Sequence, residues 1–173
     1  MTPLYRKWIM ASRLCVLSTV GPEGTDASPR GDNGPCVLEL DPGTLALPDW
    51  RGNQRIDSLR NIVRDPRVSL MFFVPGSNNV VRLNGQARIT ADEALRARFD
   101  RQGKQPATVL VVAIDEIYSQ CARALMRAGT WTAGDQSQGL PSMGEILAEQ
   151  TDGEEGGKPY DDAWGARAAK TMW

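Results

Sequence analysis

Apolar positions in this chain come in short blocks that alternate with polar residues or run unbroken over only a few positions, and glycine, proline, aspartate or asparagine follows most of them. This is the pattern of strands joined by tight turns. RLCVLSTV, Arg13 to Val20, reads as a strand that leads into a GPEGTD turn. PCVLEL, Pro35 to Leu40, alternates apolar with polar positions, and DPGT returns the chain into TLAL as a hairpin. VSLMFFV, Val68 to Val74, is a nearly continuous apolar run, as a buried strand requires. PGSNN then turns the chain into VVRLNGQARIT, where Gly85 marks a bulge or a close backbone approach. ATVLVVAIDEIYS supplies a last long strand.

Helical spacing is confined to short segments. In RIDSLRNIVRDP, Ile56, Leu59, Ile62 and Val63 recur as one apolar stripe, and Asp65-Pro66 ends the helix because proline lacks the amide donor and constrains the residue before it. ADEALRARFDRQG reads as a helix capped by Thr90, and SQCARALMRAG and SMGEILAEQ are helical as well. With about six strands, hairpin turns and no strand–helix alternation, the chain is expected to be mainly β within an α+β fold. A closed antiparallel barrel is the economical form, because closure removes exposed edges. From about Asp152 the composition becomes acidic and glycine-rich, so residues 1–151 are expected to form one domain and 152–173 a tail. That tail is expected to be partly mobile or, through Trp164 and Trp173, packed on the domain or on a partner subunit.

Composition narrows the chemistry. An apolar fraction of 41% is ample for a core, and no apolar run is long enough to span a bilayer. The N-terminus has basic residues before an apolar stretch, but Arg13 interrupts that stretch and no small-residue cleavage site follows, so it is expected to belong to the fold. Cys15, Cys36 and Cys121 show no C-x-x-C spacing, which argues against a disulfide framework or a zinc site and suits buried, reduced thiols in the cytoplasm. A formal charge of −1 gives no broad attraction to nucleic acid or membrane. The chain has no histidine, which excludes Ser-His-Asp and Cys-His machinery and His-ligated metals. Chemistry is left to carboxylates, lysines, tyrosines, thiols or a cofactor.

Two segments concentrate arginine. SPRGDNGP, Ser28 to Pro35, contains Arg-Gly-Asp, but with no secretion signal or disulfide pattern an adhesive role is disfavoured, and its prolines and glycines read as a chain reversal. LPDWRGNQRIDSLRN places Arg51, Arg55 and Ser58 near the first turns of a helix for which Asn53 is a suitable N-cap. Arg55 and Ser58, three apart, are expected on one face opposite the apolar stripe. Unpaired amides at a helix start, guanidinium forks, a hydroxyl and the flexible backbone of Gly52 together suit a phosphate, and the preceding hairpin brings Arg30 alongside. The alternative is that these arginines form a solvated helix face or pair with Asp49, Asp57 and Asp65. Arg60 and Arg64 are assigned to that solvated face.

The order SPRGD, then LPDWRGNQRIDSLRNIVRDPRVSLMFFVPG, then VRLNGQARIT resembles the pyridoxamine 5′-phosphate oxidase-like flavoproteins, over roughly Trp8 to Trp131. The resemblance implies a six-stranded antiparallel split β-barrel with short flanking helices, and a homodimer with FMN at the subunit interface. By position, Ser28 and Arg30 would face the cofactor from an early strand, and Arg51, Asn53, Arg55 and Ser58 would surround its phosphate. Arg82 would approach the flavin ring or the substrate, while Trp131, in RAGTW, would reach the partner's cofactor site or pack in the core. A true pyridoxamine phosphate oxidase ends in an Arg-x-His substrate motif that this chain lacks, so the resemblance assigns no substrate. It implies an FMN-dependent oxidoreductase that transfers hydride or electrons to or from a small molecule. The alternative on the same barrel is a non-catalytic FMN or deazaflavin carrier. A deazaflavin would need a longer basic groove, and haem is disfavoured without histidine. A structural domain whose arginines only solvate a surface is the third reading.

Overall fold

Seven strands, one more than the hydrophobic pattern suggests, form an antiparallel sheet in the structure, a computed structural model that describes residues 1–52 and 55–173. The expected N-cap Asn53 therefore lies outside the described residues. The strands are β1 (Leu14–Gly21), β2 (Gly24–Gly31), β3 (Leu38–Asp41), β4 (Thr44–Asp49), β5 (Arg67–Phe73), β6 (Val80–Thr90) and β7 (Thr108–Gln120). Their order across the sheet is β2-β1-β5-β6-β7-β4-β3. The sheet is therefore open, with β2 and β3 as its two edges.

The additional strand is β2, GTDASPRG, expected from its residues to be turn and reversal. It pairs with β1 along its full length, from Leu14 opposite Gly31 to Gly21 opposite Gly24. Asp26, Ser28 and Arg30 are its half-buried positions, so the strand has the period-2 burial of a sheet without the apolar residues that advertise it. Pairing with a strongly apolar neighbour overrides weak local propensity.

The core lies on the inner face of the sheet, where Leu17, Leu45, Leu70, Phe72, Leu83, Leu110 and Val112 are fully buried. The N-terminal segment adds α1 (Pro3–Ile9), capped by the Thr2 hydroxyl and inserting Ile9 into that core. Gly85 is both a bulge and a close approach. The β6–β7 register shifts between Asn84 and Gly85, and a Cβ at Gly85 would lie 2.2 Å from the Ala113 carbonyl oxygen. Gly85→Ala is expected to destabilise the protein by about 1–3 kcal/mol, because backbone rather than a flexible side chain must yield. Thermal denaturation checks this, and an unchanged midpoint would show that the ladder relaxes freely there.

Helix α2 (Asp57–Arg64) packs on β1, β2 and β6, but not by the expected stripe. Ile62 is buried and Leu59 packs against the core, whereas Ile56 is 52% and Val63 76% exposed. The remaining inward positions are polar, Ser58 and Asn61. The sheet explains this, since β1 and β2 present Thr19 and Asp26 to the helix. Asn61 Nδ2 donates to Thr19 Oγ1 at 3.1 Å. Arg55 precedes the helix instead of sharing a face with Ser58. Helix α3 (Glu93–Ala97) is capped by Asp92, whose carboxylate accepts from Leu95 N at 2.8 Å, while Thr90 ends β6. Helix α4 (Arg123–Ala128) follows β7.

Residues Met1–Thr132 make one compact unit and Ala133–Trp173 a second. In the second, α5 (Met143–Gln150) begins with a capping box between Ser142 and Glu145. The segment read as a tail contributes α6 (Gly157–Thr171), whose Asp161 accepts from Ser142 Oγ at 2.5 Å and from Gly144 N at 2.9 Å. No helix among the described residues is long and apolar enough to cross a membrane.

Candidate functional site

Cross-strand pairing delivers three polar side chains of β2 to one place. Residues directly opposite in an antiparallel ladder share a face. One row runs Arg30–Cys15–Phe72–Val81 across β2, β1, β5 and β6. The next runs Ser28–Leu17–Leu70–Leu83, and the third Asp26–Thr19–Val68–Gly85. The inner members of each row are buried, so Arg30, Ser28 and Asp26 are polar ends of rows whose other members anchor the core.

The three are linked into one hydrogen-bonded chain with α2, β4 and β7. Arg30 Nε donates to Ser28 Oγ at 3.2 Å, and the Ser28 and Ser58 hydroxyl oxygens are 3.3 Å apart. Ser58 Oγ donates to Asp26 Oδ2 at 2.5 Å. Because Ser58 commits its single proton to Asp26, Ser28 is the donor between the two hydroxyls. On the other side Arg30 Nη1 donates to Asp49 Oδ1 at 2.7 Å, and Thr108 Oγ1 donates to Asp49 Oδ2 at 3.4 Å. The Arg30–Asp49 pair thus reaches from edge strand β2 to β4, which lies beside the other edge. Both side chains are 18% exposed, so the pair is partly shielded but open to solvent on one side.

Of the residues singled out in the sequence, the structure brings Ser28, Arg30 and Ser58 together. Arg51 and Arg55 are exposed in the segment between β4 and α2. Among the described residues no side-chain cap hydrogen bond closes the first turn of α2, whose N-cap position is Ile56. The alternative of carboxylate pairing holds for Arg30, which meets Asp49. Asp65 is taken by Arg67 instead, whose hydrogen bonds hold the Asp65 carboxyl down at about 2. Arg64 meets Glu23 at 2.9 Å on the exposed side of α2, with Arg60 at 4.0 Å from the same carboxylate.

Arg82 does not join the cluster within this chain. It alternates with Val81 and Leu83 and so lies on the outer face of the sheet, in a row Val16–Met71–Arg82–Tyr118. Its guanidinium stands 5.2 Å from the Tyr118 ring centroid, and its buried Nε has no hydrogen-bond partner among the described residues. Trp131 is half-buried and donates from Nε1 to the Ser77 carbonyl at 2.8 Å. Sequence reasoning did not assign Asp26, Thr108 or Asn61 to the site, and named Asp49 only as an ion-pair partner. The available signal was Asp26-x-Ser28-x-Arg30, a polar period of two.

Cys15 and Cys36 are buried, whereas Cys121 is exposed, contrary to the expectation that all three are buried. Hydrogen bonding with the Cys36 thiol, then burial, pushes the Cys15 thiol well above its ordinary value, and the Arg30 charge opposes this. Cys15 is therefore a protonated core residue beneath the cluster rather than a nucleophile. A separate cleft of about 640 Å³ lies between α1 and the strands β6 and β7, lined by Tyr5, Trp8, Val81, Ser119 and Cys121 among others. None of the cluster residues lines it.

Comparison with known proteins places this geometry. The family model for pyridoxamine 5′-phosphate oxidase matches residues 1–121. None of the curated proteins matches the chain. Among solved structures, HupZ of Group A Streptococcus is similar at 17% identity and a TM-score of 0.56, over 69% of this chain and 93% of that one. An F420 reductase is similar at 19% identity and a TM-score of 0.50, covering 68% and 98% respectively. An FMN-binding protein from Syntrophomonas wolfei is similar at 13% identity and a TM-score of 0.50, covering 68% and 89%. At these identities the likeness is one of fold.

Proposed function

We propose that this chain, which belongs to the pyridoxamine 5′-phosphate oxidase family, is an FMN-dependent oxidoreductase that moves hydride or electrons to or from a small molecule. The observation that carries this reading is the convergence of Arg30 and Ser28 from β2 with Ser58 from α2 at the open seam of the barrel. The Arg30 guanidinium fork and two hydroxyls, whose protons would turn from Asp26 and Ser58 to the ligand, suit a phosphate, with the start of α2 and the exposed Arg51 and Arg55 adding positive potential nearby. When bound, the flavin would supply the redox chemistry, for which this histidine-free chain offers no acid–base triad. The chain's residues would hold the phosphate, orient the ring and restrict water.

In this reading the protein works as a cytoplasmic homodimer with the cofactor at the subunit interface. The outer row supports that arrangement, since Val16 and Met71 are half-buried beside Arg82, whose Nε lacks a partner among the described residues. Arg82 and Trp131 would then act on the partner's cofactor rather than on the chain's own. A deazaflavin in place of FMN is the second reading, favoured by the likeness to an F420 reductase.

The purified protein is expected to be yellow and to release FMN, identified by mass, on heating. A colourless protein that takes up no added FMN would overturn the cofactor assignment, and release of a deazaflavin would replace it. Anaerobic reduction of the bound flavin by a nicotinamide, followed by reoxidation in air, separates enzyme from carrier.

A further inference from the structure

The cleft between α1 and the strands β6 and β7 has a lining that the fold alone does not require. Charged residues make up 24% of the chain, yet among the described residues none that lines this cleft is charged. Its floor is Val80 and Val81, 2% and 3% exposed. One wall is the face of α1 that carries Tyr5 and Trp8, three residues apart and so neighbours on the helix, both half-buried. The opposite wall is the end of β7, where Ser119 pairs across from Val81. Contacts outside the cleft hold the helix in place. Ile9 is inserted in the core, Arg6 pairs with Glu39, and the Trp8 carbonyl accepts from Ser12 Oγ at 3.2 Å. The walls are thus preformed, which lowers the cost of binding between them.

We infer that this cleft is a binding site for a neutral, fused-ring aromatic molecule with a hydrogen-bonding group at its edge. A volume of about 640 Å³ falls within the roughly 300–1,000 Å³ of small-molecule sites. Its ten lining residues fall short of the roughly 20–30 that a protein interface of standard size engages on each side. Tyr5 and Trp8 supply ring faces and edges for aromatic contact, and Val80 and Val81 an apolar surface to cover. Asn79, Ser119 and the Tyr5 hydroxyl offer donors and acceptors for the polar edge of the ligand. An ion of the same shape would shed water there without meeting an opposite charge, so the lining selects a neutral ligand. The site is separate from the proposed cofactor site. Val81 ends the row Arg30–Cys15–Phe72–Val81, which puts it three strands from Arg30, roughly 14 Å along the sheet at the spacing of paired strands.

Cys121 gives the site its own reporter, because it lines the cleft and is exposed while Cys15 and Cys36 are buried. The test uses the full-length protein with 2-naphthol and 2-naphthoate, which share one ring system and differ in charge at neutral pH. Calorimetry is expected to give one 2-naphthol site per chain, with an affinity at least about tenfold above that for 2-naphthoate. Bound 2-naphthol should slow modification of Cys121 by a thiol reagent in proportion to occupancy. Ser119→Phe fills the cleft from an exposed position, and should weaken 2-naphthol binding at least about tenfold with an unchanged thermal midpoint. If that variant fails to fold, protection of Cys121 in the unaltered protein reads the same occupancy. Equal affinities for the two probes, binding without protection of Cys121, or retained affinity in folded Ser119→Phe would overturn the inference. So would displacement of 2-naphthol by FMN, which would place it in the cofactor site. Protection of Cys121 that rises with protein concentration alone would also overturn it, making the cleft a contact between copies of the chain. A protein that takes up no FMN yet binds 2-naphthol in this way loses the flavin reading and keeps this one.

Discussion

Arg30→Ala is expected to lower FMN affinity by about 10- to 100-fold, the loss that removal of one guanidinium-to-phosphate contact would bring if Arg30 holds the phosphate. Arg30 is the cation at the centre of the cluster, bonded at once to Ser28 and Asp49. Its removal does two things. The proposed phosphate contact would lose its fork, and Asp49 would be left with only Thr108 donating to it among the bonds described above. Because the pair is partly solvated, the stability cost should be about 1–2 kcal/mol, below the 3–5 typical of breaking a fully buried pair. Affinity should therefore fall well before the fold is lost, and fluorescence titration beside a denaturant curve separates the two. Arg30→Lys, which keeps the charge without the planar fork, should lie between. Unchanged affinity in the alanine variant would mean that Arg30 only clasps the seam.

Phe72→Ala should be the most damaging single change to stability, at about 3–5 kcal/mol. Phe72 is fully buried and stands between Cys15 and Val81 in the row that ends at Arg30. The cavity left at its position would loosen the support beneath the guanidinium, so FMN affinity should fall as well, though Phe72 is not one of the cluster's polar groups. For a chain of this size the thermal midpoint should drop by roughly 10 °C. A midpoint within a degree or two of wild type would contradict the packing described here.

The strands that bury an apolar face were legible in the sequence, and the polar one was not. Val68–Val74 and Val80–Thr90 stand close to where their patterns place them, and Gly85 is both the bulge and the close approach that a glycine inside a strand suggests. β2 escaped because its inner face carries Asp26, Ser28 and Arg30, so the alternation that marks a strand had no apolar member. The same replacement of apolar by polar inward residues misled the reading of α2. Its inward side holds Ser58 and Asn61, while Ile56 and Val63 face solvent. Motif resemblance singled out Ser28, Arg30 and Ser58, which the structure brings together, because arginines and hydroxyls are conspicuous in a phosphate context. Asp26, Asp49 and Thr108 were less visible, since an acidic or threonine side chain in a turn-rich segment has ordinary structural explanations. Only the three-dimensional register shows that they share one seam with Arg30.

The most direct test of the cluster as a phosphate site is the ratio of dissociation constants for riboflavin and FMN, which differ only in that group. If Arg30, Ser28 and Ser58 hold the phosphate, FMN should bind at least about tenfold more tightly, with the difference shrinking as salt is raised. Equal affinities for the two flavins at low salt would contradict the account.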